Sequence, residues 1–205
     1  MYPRPKIDTS HKSPNHGGFR RKPQKAVLHA TVGGYLSSIH YLCHPKSKAS
    51  TNYIISKKGE IAELVDPIFA SWGNGISIKG WGNYDTITFE LENKNDGRDP
   101  YPDEQLKALA TLLLWLDIPK EGVRDHKAIC FPKGRKTDLR ENFPWARLWQ
   151  ITYGAALPSV AGYTLIGGVY YKNVNGKPDM KQGFRADGLL AKARKLGWKI
   201  WPRKV

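Results

Sequence analysis

"DTITFELEN", Asp85 to Asn93, alternates between polar and apolar residues from Thr86 to Glu92. Ile87, Phe89 and Leu91 point one way; Thr86, Thr88, Glu90 and Glu92 point the other. That is a strand with one face for a core and one face carrying carboxylates. The sequence around it supplies the partners. Downstream, "PDEQLKALATLLLWL" (102–116) predicts a helix that opens on Pro102 with acids in its first turn. Leu106, Leu109, Leu113 and Leu116 form its apolar stripe. A short strand near 122–124 leads into "DHKAI", and "PWARLWQ" (144–150) predicts a closing helix with Trp145 and Trp149 on one face. Upstream, "TNYIISKKGEIAELV" (51–65) predicts a hairpin around a Lys58-Gly59 turn. "SSIHYLCHP" (37–45) predicts a short helix that stops at Pro45, with Ile39, Leu42 and Cys43 inward. "KAVLHAT" (25–31) predicts a buried strand, with Ala26, Leu28 and Ala30 on one face and Val27, His29 and Thr31 on the other. Strands interspersed with helices give an α/β class domain with one central sheet.

The chain of 205 residues suffices for one ordinary domain plus appended segments. No apolar run reaches the length of a membrane span, and the first residues lack the apolar stretch of an export signal. Two cysteines, Cys43 and Cys130, do not make a disulfide framework and are read as free thiols in a reduced compartment.

The net charge of +15 is unevenly placed. Residues 1–25 carry seven Lys/Arg against one acid, and residues 154–205 carry ten against two. The middle, 26–153, is nearly neutral. Residues 1–25, rich in Pro, Lys, Ser and Gly, are read as an extended basic arm with little regular structure. In 154–205, strands are expected around an Asn175-Gly176 turn. A basic helix follows over 184–198, with Leu189, Ala193 and Leu196 inward. This C-terminal extension is expected to dock on the core or act as a small module. Basic flanks imply an anionic partner: nucleic acid, a lipid surface or an acidic wall polymer.

"FPKGRKTDLRENFPW" (131–145) sets one acid, Asp138, inside a run of basic residues. Such an acid is ordinarily a partner in surface ion pairs. Two histidines change the weighing. His29 sits near the end of the first strand, on the face opposite Leu28, and His126 follows another strand. Two imidazoles and a carboxylate can hold zinc with one position left open, the arrangement of catalytic sites. Spacing alone does not select this triple, because six histidines and eighteen acids offer many. His40 and His44 are four apart, but Pro45 ends their helix; His11 and His16 lie in the arm.

Here the residues carry a resemblance. "VLHAT" (27–31), "ASTNYIISKKGEIAELV" (49–65), "TITFELEN" (86–93), "DHKAICFPKGRKTD" (125–138) and "NFPW" (142–145) resemble the successive motifs of the zinc-dependent N-acetylmuramoyl-L-alanine amidases. That family includes phage endolysins and peptidoglycan recognition proteins. The resemblance implies a single mixed sheet flanked by helices, with Zn2+ on His29, His126 and Asp138. It implies Glu90 as the group that activates water and Lys136 as the cation that stabilises the oxyanion. Glu92, on the same strand face, is the rival base, and Cys130 a rival ligand. Thr51 stands where some phage members have tyrosine, and Asn52 where many have histidine. Gly73 replaces the histidine that commonly follows Trp72. With Asn74, in the loop "SWGNG", Thr51, Asn52 and Trp72 are the candidate substrate contacts.

The function implied is cleavage of the amide between N-acetylmuramic acid and L-alanine by a zinc-activated water. The partner would be bacterial peptidoglycan, with anionic wall polymers held by the basic flanks. A chain without an export signal fits an endolysin kept in the host cytoplasm until released to the wall. The alternatives are a non-catalytic peptidoglycan-binding module of the same fold and a basic nucleic-acid-binding protein. No zinc-finger or ribonucleoprotein motif supports the last.

Overall fold

The computed structural model describes residues 4–20 and 23–153, together with three strands of the C-terminal part. In chain order the elements are β1 (His16–Phe19), β2 (Ala26–Ala30), α1 (Tyr35–Cys43), β3 (Tyr53–Ile55), β4 (Ile61–Glu63), β5 (Phe69–Ser71), β6 (Ile87–Leu91), α2 (Asp103–Trp115), β7 (Val123–Asp125), α3 (His126–Ile129), α4 (Trp145–Tyr153), β8 (Tyr163–Ile166), β9 (Val169–Val174) and β10 (Lys177–Arg185). Among these, no helix is long and apolar enough to cross a membrane.

The central sheet has five strands in the order β4-β3-β6-β2-β7. β3, β6, β2 and β7 are parallel, and β4 closes the edge as the antiparallel arm of the predicted hairpin. Gly59, in the turn of that hairpin, has φ +81°, and an added Cβ would come within 2.8 Å of the Glu104 carbonyl oxygen. Only glycine lets the turn press this closely on α2.

The period-two patterns sort the sheet's faces as the sequence requires. Ala26, Leu28, Phe89, Leu91, Tyr53 and Ile55 pack against Leu106, Leu109 and Leu113 of α2 and Leu148 of α4. Burying each such leucine contributes roughly 1.5–3 kcal/mol, so this face is the main source of stability. On the other face, α1 covers Ile54 and Ala62 with Ile39 and Leu42, and Val27 packs on Trp81 and Ile129. Cys43, half-buried, packs against the same cluster as Ile39 and Leu42, inward as expected. Trp115, Trp145 and Trp149 pack against the main core, as their spacing predicts.

The N-terminal arm departs from expectation. It is tied down at both ends of its path. Asp8 bridges to Ala62, and β1 pairs antiparallel with β5. Asn15 is buried, and its amide donates to the carbonyls of His44 and Ala49 at 2.9 and 3.2 Å. Arg20 reaches inward: its guanidinium donates to Pro67 O and Asn52 Oδ1, each at 3.0 Å, and to the carbonyls of Asn83 and Thr86. Side-chain hydrogen bonds to loop carbonyls order this segment where apolar burial does not.

In the C-terminal part, β8, β9 and β10 form an antiparallel sheet. Val174 and Lys177 are paired, while the expected turn at 175–176 lies outside the described residues. Phe184 and Arg185 belong to β10 rather than to a helix. The remainder of the expected helix, with Leu189, Ala193 and Leu196, lies outside the described residues.

Candidate metal centre

The site forms at the carboxyl ends of the parallel strands, where open α/β sheets gather their functional groups. His29 is the penultimate residue of β2 and faces away from the α2 core. β2 and β6 are in parallel register with His29 opposite Glu90, so the two side chains stand side by side. His126 opens α3 directly after β7. Asp125 caps that helix by accepting from the Ala128 N–H at 2.7 Å, which fixes the turn that aims His126 inward. Asp138 lies on the following loop, and its carbonyl accepts from Lys127 N–H at 2.6 Å.

Among the described residues, His29, His126 and Asp138 form a group able to hold a metal ion. Both rings are 3% exposed or less. His29 Nδ1 lies 2.9 Å from His126 Nδ1, and Asp138 Oδ2 lies 3.4 and 3.2 Å from these nitrogens. A tetrahedral ion with bonds of about 2.0–2.1 Å sets its ligand atoms about 3.3–3.4 Å apart. The three edges are close to that, and two imidazoles with one carboxylate suit zinc chemically. Burial lowers the proton affinity of His29, against the pull of Asp138. Burial alone would raise Asp138, but hydrogen bonds from His126 and His29 and their charge outweigh it and hold the carboxyl well below its usual range.

Glu90 Oε2 is buried without a hydrogen-bond partner. Burial, reinforced by the Asp138 carboxylate and opposed by Lys136, pushes its pKa up to about 8. Glu92 is differently placed: its two oxygens accept from the Tyr35 and Lys57 N–H groups at 3.2 and 2.8 Å. It is a structural clamp, which leaves Glu90 as the carboxyl facing the site. Cys130 is buried and directs its thiol to the carbonyls of Lys127 and Pro132, outside the metal group.

A cavity of about 590 Å³ opens over the three ligands, lined also by Glu90, Lys136 and Trp72. Trp72 is 39% exposed. Of the four expected substrate contacts, the structure places only Trp72 on the cavity. Thr51 and Asn52 are fully buried and do not line it. Thr51 bonds to Thr88 Oγ1 and the Tyr53 carbonyl, while Asn52 joins Arg20, the Thr88 N–H and the Val65 carbonyl. Asn74 is also fully buried, behind the histidine rings rather than in the groove. Gly73 lines the cavity where a Cβ would come within 3.1 Å of Thr88 and 3.2 Å of the Ser50 carbonyl, so a larger residue there would need these neighbours to give by a few tenths of an ångström. Cavity residues not singled out from sequence include Val32, Tyr41, Asn95 and Arg135. Arg135 sits in the motif that carries the resemblance and braces its loop by donating to the Ile76 carbonyl at 2.7 Å.

A family model described as N-acetylmuramoyl-L-alanine amidase matches residues 19–141. The chain belongs to this amidase family. Solved structures of amidases agree with the fold. The chain is similar to AmpD, in its selenomethionine derivative, with 25% identity and a TM-score of 0.53 over 68% of this chain and 91% of that one. It is similar to AmiD from E. coli, solved with anhydro-N-acetylmuramic acid-L-Ala-D-gamma-Glu-L-Lys, with 24% identity and a TM-score of 0.55 over 91% of this chain and 76% of that one. It also resembles the amidase LysC from Clostridium intestinale URNW, with 17% identity and a TM-score of 0.52 over 71% of this chain and 96% of that one. No curated protein sequence matches the chain. As an amidase of this family it acts on peptidoglycan, and its mixed sheet flanked by helices is the family's architecture.

Proposed function

We propose that this amidase hydrolyses the amide between N-acetylmuramic acid and L-alanine, with zinc held by His29, His126 and Asp138. The observation that carries the reading is the convergence of three buried ligand atoms beside Glu90 Oε2, a buried carboxyl oxygen without a partner. Zinc at this position would supply a Lewis acid that polarises the scissile carbonyl and lowers the pKa of a water to about 7.

The chain's own groups do the rest. Water adds to the amide carbonyl carbon, and Glu90 Oε2 takes its proton. A carboxylate facing the water serves first as acceptor and then as donor. Lys136, on the cavity wall two residues before Asp138, places an ammonium beside the developing oxyanion. As the C–N bond breaks, Glu90 returns its proton to the alanine nitrogen, which departs as the amine. Trp72 offers a stacking face for a sugar or peptide.

The basic flanks support action on whole walls, with residues 1–25 and 154–205 concentrating the enzyme on anionic wall polymers. On this reading the chain is an endolysin, released from the host cytoplasm to the wall. Removing 154–205 then weakens sacculus binding at low salt and spares hydrolysis of a soluble muropeptide; undiminished binding rejects this role for the segment.

Digestion of purified sacculi tests the reaction. New amino-terminal alanine without new reducing sugar ends is expected, lost on chelation and restored by zinc. New reducing ends, or no cleavage by the zinc-loaded protein, would refute it. The complete ligand set disfavours a binding-only module.

A further inference from the structure

Asn74 touches both histidines from behind, with two different atoms. Its side-chain Oδ1 lies 3.2 Å from His29 Nε2, and its main-chain oxygen lies 3.0 Å from His126 Nε2. The amide's orientation is settled by its other end. Nδ2 donates to the Trp81 carbonyl at 2.9 Å and to Thr86 Oγ1 at 2.8 Å. A carbonyl can only accept, so the NH2 group faces Trp81 and the oxygen faces His29. The backbone is held as well, since Asn74 N–H donates to Asn83 Oδ1 at 3.0 Å.

Both oxygens of Asn74 are acceptors, so both Nε2 atoms must carry the proton. A neutral imidazole has one N–H. With Nε2 committed to Asn74, Nδ1 is the atom that each ring can offer a metal, and these two atoms, 2.9 Å apart, converge with Asp138 Oδ2. The third ligand's loop leans on the same residue: Arg135 Nη2 donates to the Asn74 carbonyl at 3.4 Å and to that of Ile76 at 2.7 Å.

We propose that Asn74 is the positioning residue of the metal centre, a tautomer lock that turns the Nδ1 lone pairs of His29 and His126 toward one point. The proposal rests on the reading of His29, His126 and Asp138 as the metal ligands. It assigns Asn74 a role that the substrate groove does not, because the residue is fully buried. Outer contacts of this kind typically change metal affinity about 10–100-fold.

Two measurements on the full chain test it. The first is long-range proton–nitrogen NMR of the metal-free wild type, which reports ring tautomers directly. Both His29 and His126 are expected to carry a proton on Nε2, in addition to any proton that the Nδ1 atoms share with each other and with Asp138; a ring without an Nε2–H overturns the lock without any variant. The second is zinc affinity by competition with a chromogenic chelator. Asn74→Ala removes Oδ1 and keeps the main-chain carbonyl. His126 should hold its tautomer, His29 should become a mixture, and zinc should bind about 10–100-fold more weakly. Thr86→Val loosens the same neighbourhood but leaves Oδ1 facing His29, and zinc affinity should stay within about threefold. An Asn74→Ala affinity within threefold of wild type, or an equal loss in Thr86→Val, overturns the proposal. A wild type that binds no zinc instead refutes the ligand reading, and the NMR result then decides on Asn74 alone.

Discussion

Glu90 stands directly across the parallel ladder from His29. One residue is a candidate ligand, and the other carries the buried, unpartnered oxygen beside it. Their spacing is set by backbone hydrogen bonds between two central strands rather than by a loop. The proposed base and the candidate ligand are therefore held side by side by the register of two central strands.

Glu90→Gln keeps the shape and removes the proton acceptor. Zinc affinity should stay within about threefold, while turnover on a soluble muropeptide falls about 10²–10⁴-fold. A variant that turns over at the wild-type rate with metal bound would exclude Glu90 as the base.

The same residue makes the metal-free protein sensitive to alkali. Burial raises the folded-state pKa of Glu90 from 4.5 to about 8. The folded state thus binds a proton that the unfolded chain has released. Its stability contribution is intact below the unfolded pKa and falls as pH rises toward the folded one. In chelator, wild type should lose thermal stability between about pH 5 and pH 8 relative to Glu90→Gln, and the gap should level off above that. Calorimetry of both proteins across this range checks it; a constant gap would mean that Glu90 is not protonated in the fold.

Asp138→Ala and Lys136→Met separate binding from chemistry two residues apart. The first leaves two ligands and should lose both zinc after dialysis and activity. The second should retain zinc and lose about 10²–10³-fold in turnover, the usual effect of removing an oxyanion donor. Metal analysis beside single-turnover kinetics distinguishes them, and full zinc retention in Asp138→Ala would remove it from the ligand set.

Arg20→Ala should cost about 2–4 kcal/mol in denaturant unfolding, because it leaves Asn52 Oδ1 and the Pro67, Asn83 and Thr86 carbonyls without their shared donor. A change below about 0.5 kcal/mol would show the arm to be dispensable for stability.

The central strands were legible because alternation has one period and two faces: His29 and Glu90 fell on the face opposite Leu28 and Phe89 before any coordinates. The leucine stripe of α2 and the hairpin at Gly59 were legible for similar local reasons. A polar pair at a strand's start, such as Thr51 and Asn52, looks the same whether it meets substrate or distant side chains. Here those are Thr88 for both residues and Arg20 for Asn52, each more than thirty positions away, and no periodicity announces them. Asn74 was noticed for the wrong reason. Half of its role belongs to a main-chain oxygen, which every residue possesses and no sequence pattern marks. The resemblance in Gly134–Asp138 named Lys136 and Asp138, while the bracing by Arg135 needed the fold.

The inward reach of Arg20 bears on how this protein can be shortened. Cutting before Lys25 would seem to trim a tail and leave every strand of the main sheet. It would instead withdraw the guanidinium that bonds Asn52 and the Pro67, Asn83 and Thr86 carbonyls, so a shortened chain that keeps those loops tied begins ahead of Arg20.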